Sequence, residues 1–387
     1  MSGKKNKYKE FLKKIFIWKN KSTCSNGDAL NPAPGIENLY KLKKENYLKA
    51  EKYFIEKDSE IDSFPLHAYL EVSKLCNLDC IMCPGHHFSS IKIPPESGLL
   101  SRSIFDKLEY FFPYLLRVDL SGDGEPLLNQ DLYYFIERLK LFKIFVSFIT
   151  NGLLLNRKKS DMLLEYGLDQ MIFSIDSPRE DIYKKIRIGS DLKIVSDNLK
   201  YISNKRRELG NPLFISINTI LMKENEEDIR MLIDFASKIK ADQLIINPLL
   251  YYPDEKYLKF YNEHKPSVID RPDWKEQLQM YKTEALDKGL DFQTAFFSEG
   301  QELSESDSFC AEPWTTIYVL PLGEVRTCCL NEVAYGDLNK NTAGEIWFGE
   351  AFKRLRFQIN SNSDLNIFCR NCIKNSRTDN FFNAWNV

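Results

Sequence analysis

From residue 67 onward the chain repeats one pattern. Short apolar runs fall near 68–73, 117–121, 144–149, 170–175, 213–218 and 243–246, with stretches of helical periodicity between them at 101–112, 129–141, 158–166, 191–208 and 225–239. Strands separated by helix-length segments pack as parallel strands with crossover helices. Six such units are too few for a closed eight-stranded barrel. The expected fold is α/β, a partial, open (β/α)6 barrel of TIM-like type. Its chemistry is expected at the strand C-termini, where parallel α/β folds place their ligands.

Directly after the first run the chain reads Lys74-Leu75-Cys76-Asn77-Leu78-Asp79-Cys80-Ile81-Met82-Cys83-Pro84. Three thiolates this close can hold three irons of a cubane iron–sulfur cluster and leave the fourth iron open. An open iron binds a small molecule and passes an electron to it, so the spacing signals chemistry as well as structure. Structural zinc sites usually take four ligands in CxxC pairs, and ferredoxin runs are spaced differently.

This CxxxCxxC run resembles the signature of the radical S-adenosylmethionine (SAM) family. Weaker signals follow in the family's order. Ser121-Gly122-Asp123-Gly124-Glu125-Pro126 is similar to the family's Gly-Gly-Glu-Pro segment, here as G-x-G-E-P. Thr150-Asn151-Gly152 and Ser174-Ile175-Asp176-Ser177 end two later strands, and Arg187 lies in an Ile-Arg-Ile-Gly stretch. The resemblance implies that Cys76, Cys80 and Cys83 hold a [4Fe–4S] cluster whose open iron chelates SAM. Reductive cleavage then yields a 5′-deoxyadenosyl radical that takes a hydrogen atom from substrate. Gly122 and Gly124 let the backbone approach the methionine end, and Glu125 is expected to help fix its ammonium. Ser174 and Arg187 are candidates for the ribose or carboxylate, Arg187 because a guanidinium matches a carboxylate fork. Asn151 and Asp176 complete the expected cofactor-binding set. Asp123, Asp176 and Glu224 are candidate bases for a substrate hydroxyl proton, with Asp123 inside the G-x-G-E-P segment.

The last 80 residues break the rhythm and hold five of the nine cysteines. Seventeen residues separate Cys310 from Cys328, and forty residues later Cys369 and Cys372 form a CxxC. Four thiolates so arranged can close a site completely, around zinc or a [4Fe–4S] cluster. Cys310-Ala311-Glu312-Pro313-Trp314, Val319–Val325, Gly336-Asp337-Leu338 and Glu345-Ile346-Trp347 resemble the radical SAM auxiliary domains called SPASM and twitch. That resemblance implies one auxiliary [4Fe–4S] cluster, held by Cys310, Cys328, Cys369 and Cys372, which accepts an electron from a substrate radical. Cys329 is left over beside a ligand, as a buried small residue, an alternative ligand or a hydrogen-atom donor. Cys24 reads as incidental, and His86 and His87 as loop residues.

Four segments are expected: a basic, mostly helical extension (1–65), the barrel (66–250), a less regular connector (251–305) and the auxiliary domain (306–387). The first 21 residues carry eight lysines and one glutamate, with Tyr8, Phe11, Leu12, Ile15 and Phe16 at helical spacing. Such a helix packs on its own domain or makes weak contact with an anionic membrane surface. The formal net charge of −2 argues against a nucleic-acid partner. No apolar run is long enough to span a membrane and the N-terminus has no signal-peptide pattern, so the expected location is cytoplasmic. The leading expectation for function is a radical SAM oxidoreductase, dehydrogenase-like, that oxidises a small hydroxylated molecule of sugar or cyclitol type. An electron donor such as flavodoxin or ferredoxin serves it. The alternatives are a peptide-modifying maturase and a non-catalytic metal-containing binding protein.

Overall fold

The computed structural model describes residues 35–87, 98–249, 255–294 and 310–375. Its strands in chain order are β1 (His67–Leu70), β2 (Asp79–Cys80), β3 (Arg117–Asp119), β4 (Phe145–Thr150), β5 (Gln170–Ser174), β6 (Arg187–Ile188), β7 (Phe214–Leu221), β8 (Gln243–Pro248), β9 (Asp291–Thr294), β10 (Thr316–Val319), β11 (Glu324–Arg326) and β12 (Gly336–Asp337). Strands β1, β3, β4, β5, β7 and β8 are the six expected barrel strands, and each pairs in parallel with the next. β2 and β6 form a separate antiparallel ribbon.

The helices follow the apolar periodicity. The longer ones are α1 (Ile36–Ile55), α2 (Leu132–Leu141), α3 (Arg157–Glu165), α4 (Glu180–Ile186), α5 (Leu192–Glu208), α6 (Ile229–Lys238), α7 (Glu255–His264), α8 (Trp274–Asp287), α9 (Glu350–Ser361) and α10 (Ile367–Asn375). In α5, Leu192, Val195, Leu199 and Ile202 form a buried stripe, the spacing of a helix laid on a sheet. They join Val118, Val146, Phe148, Met171, Phe173, Ile215 and Ile217 in one core between sheet and helices. Because side chains alternate along a strand, His67, Tyr69, Arg117, Asp119, Ser147, Gln170 and Ser216 occupy the other face, the barrel lumen. The expected helix at 101–112 is broken into a short turn, Arg102–Asp106, and a 3-10 turn, Glu109–Phe111.

Two features differ from the sequence expectation. Residues 255–294, expected as a less regular connector, form α7, α8 and β9, and β9 pairs in parallel with β8. The buried anchors of α8 are few, Trp274, Leu278 and Ala285, among many charges, which hid its periodicity. At the opposite edge, β10 pairs in parallel with β1, in register from His67↔Thr316 to Leu70↔Val319. β11 and β12 then continue the sheet antiparallel. The C-terminal cysteine region therefore covers the exposed edge of β1, satisfying backbone groups that an open barrel would leave unpaired.

Helix α1 packs on this C-terminal region. Tyr47, Ala50 and Phe54 share a core with Trp314, Leu355 and Ile359, and Trp314 Nε1 donates to the Asp58 carbonyl at 2.7 Å. The expectations for residues 1–34, including Cys24, lie outside the described residues. Among the described residues, no helix is long and apolar enough to cross a membrane.

Candidate active site

The loop after β1 carries Cys76, Cys80 and Cys83. All three pack in one apolar cluster with Leu78, Met82, Ile186, Met222 and Leu249. The β2–β6 ribbon pins the loop, with Cys80 opposite Arg187. Arg187 Nη1 lies 3.7 Å from Cys80 Sγ, and its Nε lies 2.7 Å from Asp176 Oδ2. Asn151 Nδ2 donates to Asn77 Oδ1 at 2.9 Å and stands 3.9 Å from Cys76 Sγ. Burial pushes the Cys76 and Cys80 thiols up, and Arg187 counters this at both sites. His87 caps the loop, its Nε2 lying 3.0 Å from the Cys80 carbonyl.

The G-x-G-E-P loop lies against this cysteine loop. Gly124 N donates to Ser73 O at 3.0 Å and Glu125 N to Leu75 O at 2.8 Å. A Cβ on Gly124 would stand 2.4 Å from Leu75 O, and one on Gly122 would stand 2.1 Å from Glu71 Cγ. Gly85, two residues past Cys83, leaves equally little room beside Asp123, 2.7 Å from its Cβ. Glycine is therefore a packing requirement at each of these positions. Glu125 Oε1 accepts from Thr150 Oγ1 (2.7 Å) and Leu127 N (3.1 Å), and its Oε2 accepts from Asn151 N (2.8 Å). Burial raises its pKa against those donors. This carboxylate clamps two loops together through three hydrogen bonds within the chain.

Other sequence candidates are also committed. Asp176 is fully buried, paired to Arg187, and accepts from Ile220 N at 2.9 Å. Glu224 Oε1 lies 2.7 Å from His264 Nδ1. Neither is an open base. Arg187 meets Asp176 through Nε and Cys80 through Nη1. Ser174 is buried at the end of β5, its carbonyl accepting from Tyr183 Oη at 3.4 Å. Of the three candidate bases, Asp123 has the accessible carboxylate, 42% exposed, held by Lys74 Nζ at 3.1 Å.

The lumen holds residues that motif reading missed. Glu71 is completely buried, accepts from Asp123 N at 2.7 Å and lies 3.2 Å from Lys74 Nζ. Burial, then the charge of Asp123, push its pKa up to about 7 against the pull of Lys74. Deeper, Asp119 meets His67 Nε2 at 2.6 Å, the Arg117 guanidinium in two bonds of 2.8 Å, and Ser147 Oγ. Burial alone would raise Asp119, but Arg117 and His67 hold it well below the usual carboxylate range. Tyr69 and Tyr318 sit side by side on β1 and β10, ring centroids 6.0 Å apart. The alternation His67-Ala68-Tyr69-Leu70-Glu71 was the available signal: every second residue is polar, so one face of β1 looks away from the apolar core.

In the C-terminal region Cys310, Cys328, Cys369 and Cys372 all line one small cavity, with Glu312, Asn331 and Leu355. The expected one-one-two arrangement is thus brought together in space. Burial raises the Cys310, Cys328 and Cys369 thiols, Cys369 to about 11. Loading metal on such thiols releases their protons. Cys329, next in the chain to Cys328, is exposed, and burial of its thiol group pushes its pKa up.

Both sites fit iron–sulfur groups. One offers three thiols on a short loop in an apolar shell, beside a glycine loop without room for a Cβ, and the other offers four thiols around one cavity. Residues 70–236 match the Radical SAM superfamily model, and residues 310–373 match the iron-sulfur cluster-binding domain SPASM. The chain belongs to the radical SAM superfamily and carries a C-terminal SPASM-type domain. These two domains take SAM and two [4Fe–4S] clusters as their cofactors.

Among curated proteins, a probable GTP 3′,8-cyclase of Methanococcus aeolicus is 29% identical over 203 residues, 50% of this chain and 62% of that protein. A tungsten-containing aldehyde ferredoxin oxidoreductase cofactor-modifying protein of Pyrococcus furiosus is 25% identical over 189 residues, 48% of this chain and 51% of that protein. The chain spans less than two thirds of the length of these relatives. Among solved structures, Streptococcus suis SuiB bound to S-adenosylmethionine superposes with TM-score 0.60 at 18% identity, over 90% of this chain and 78% of that one. Native anSMEcpe with bound AdoMet gives 0.58 at 17%, over 80% and 86%. These likenesses describe a shared fold.

Proposed function

We propose that this enzyme oxidises a hydroxylated carbon of a small polar substrate, of sugar or cyclitol type, by two electrons. The observation that carries the reading is the strip joining the two sites. Glu71, whose Oε1 holds Asp123 N at 2.7 Å, bonds through its own N to Val319 O of β10 at 2.9 Å, and Tyr318 of β10 lies against Tyr69 of β1 on the way to Cys328 and Cys329. In this reading a substrate seated over the G-x-G-E-P loop lies on the side of the sheet where β10 joins β1 to the second cysteine set. The polar lumen, with Asn218 donated to by Asn247 at 2.7 Å above the Gln170–Ser216–Gln243 row, suits a hydroxyl-rich ligand.

In this reading Cys76, Cys80 and Cys83 hold the cluster that binds SAM, and Cys310, Cys328, Cys369 and Cys372 hold the auxiliary cluster. When bound, these groups supply a 5′-deoxyadenosyl radical and an acceptor for one substrate electron. Gly122 and Gly124 admit the methionine end by leaving the loop backbone bare, and Ser174 lines the nucleoside side. Asn151, Asp176 and Arg187 act by fixing the cysteine loop. Asp123 Oδ2 takes the substrate hydroxyl proton, with Lys74 holding that carboxylate in place. The apolar shell around the cysteine loop excludes water from the reacting atoms. A flavodoxin or ferredoxin is the proposed reductant.

A second reading, modification of a peptide, is favoured by the likeness to SuiB, which was also solved bound to the precursor peptide SuiA. The test is anaerobic reconstitution followed by product analysis with polyols, aminocyclitols and peptides. Wild type is expected to carry about eight irons and to couple 5′-deoxyadenosine formation to a ketone or aldehyde product. A Cys369→Ala/Cys372→Ala variant is expected to form 5′-deoxyadenosine without that product. Full product formation by this variant would refute the acceptor role. Turnover of peptides alone would favour the second reading.

A further inference from the structure

The three sulfurs of the first cysteine set do not share one environment. Cys76 faces the neutral amide of Asn151 at 3.9 Å. Cys80 faces a guanidinium, Arg187 Nη1, at 3.7 Å. That cation is 7% exposed and sits beside an apolar cluster of Leu78, Met82, Ile186, Met222 and Leu249. Charge acts strongly in such surroundings because little water screens it. The guanidinium cannot drift, since β6 pairs with β2 in the register Arg187↔Cys80 and Nε is held 2.7 Å from Asp176 Oδ2. Asp176 is itself fixed, accepting from Ile220 N at 2.9 Å, while its carbonyl accepts from Asn225 Nδ2 at 2.7 Å. The ion pair is thus an oriented dipole, with its positive end toward the sulfur and its negative end behind.

We propose that Arg187, oriented by Asp176, sets the reduction potential of the cluster held by Cys76, Cys80 and Cys83 by acting on the Cys80 sulfur. The inference rests on the reading that these three cysteines hold the cluster. Adding an electron makes the cluster more negative, so a nearby cation favours the reduced form and raises the potential. The carboxylate behind it opposes this more weakly. Arg187 is therefore a positioning and tuning residue.

The two halves of the pair make opposite predictions, which a merely structural role does not. The experiment is potentiometric EPR on the full-length reconstituted protein without substrate. The first cluster is recognised by the change in its signal when SAM is added. Arg187→Gln is expected to lower the reduced-to-oxidised ratio at fixed potential by at least tenfold, which is 59 mV for one electron. Arg187→Lys keeps the charge on a different stem and is expected to fall between. Asp176→Asn keeps an acceptor for Ile220 N and is expected to move the potential upward. Shifts of the same sign in Arg187→Gln and Asp176→Asn overturn the proposal, as does an unchanged potential in Arg187→Gln with its iron retained. If Arg187→Gln loses iron, Arg187→Lys and Asp176→Asn decide by the same signs. Failure of the underlying reading is separable: a Cys76→Ala/Cys80→Ala/Cys83→Ala variant would then keep the SAM-sensitive signal.

Discussion

Replacing Gly122 with alanine puts a carbon 2.1 Å from Cγ and 2.5 Å from Cδ of Glu71. Glu71 cannot swing aside, because it is fully buried and its Oε1 holds Asp123 N at 2.7 Å. Gly122 is not in the left-handed region, so the change tests crowding alone. Overpacking of this kind costs about 1–3 kcal/mol. Lifting the loop to relieve it breaks the bond to Glu71, worth about 1 kcal/mol. A loop that relaxes outward in the free protein must be pressed back to seat SAM. The expected loss of SAM affinity is then about 2–4 kcal/mol, or roughly 30- to 1,000-fold in Kd. Because the obstacle is a side chain, the clash is removed by Glu71→Ala. In a double-mutant cycle, Gly122→Ala is expected to be nearly neutral in the Glu71→Ala background. Gly124→Ala behaves differently: its nearest atoms are the main-chain Leu75 O at 2.4 Å and Ser73 O at 2.5 Å, so no side-chain deletion rescues it. Gly35→Ala, with nothing within 4 Å, is the neutral control. The assay is calorimetric SAM binding to the reconstituted protein, with hydrogen exchange of residues 121–126 reporting loop opening. Wild-type affinity in Gly122→Ala, or an equal loss with and without Glu71, refutes the reasoning.

Glu125→Gln replaces one accepting oxygen by an amide that faces an N–H or O–H donor, and is expected to cost about 1–3 kcal/mol. Urea unfolding, with faster exchange of the Asn151 amide, checks this. Glu71 titrates near 7 in the folded chain and at the ordinary 4.5 when unfolded, so between these values the folded state holds the extra proton. Its contribution is fully present below about 4.5 and is lost as pH rises toward 7, by about 3 kcal/mol in all. Glu71→Gln is expected to remove that slope from the pH dependence of the urea midpoint. Ile317 is completely buried on β10 beside β1, and Ile317→Ala is expected to cost about 2–5 kcal/mol. Limited proteolysis should then cut before β10 faster than elsewhere, with iron lost from the C-terminal site first.

The barrel was readable because its evidence is local and repeated. The strand runs near 144–149 and 170–175 became β4 and β5 almost as drawn, since apolar alternation fixes both a strand and the face it buries. Helix α8 was not readable, because three buried anchors among charges make a weak period. The side-chain partners of Glu125 and Arg187 within the chain were not readable for a different reason. Motif position assigns a residue to a site but says nothing about which neighbours claim its atoms first. Thr150, Leu127 and Asn151 occupy Glu125, and Asp176 and Cys80 engage Arg187.

By itself the sequence determined the three-cysteine loop, since Cys76, Cys80 and Cys83 are bound by a chain too short to separate them. It also determined the order of parallel strands and the residue types at their C-termini. Only the tertiary structure decided that Cys310 and Cys328 meet Cys369 and Cys372 around one cavity, that β10 closes on β1, and that Glu71 lies beneath Gly122. The physical reason is range. Spacing and periodicity are properties of neighbours along the chain. Convergence across 40 to 250 residues depends instead on which edges, faces and buried charges find partners once the sheet has closed.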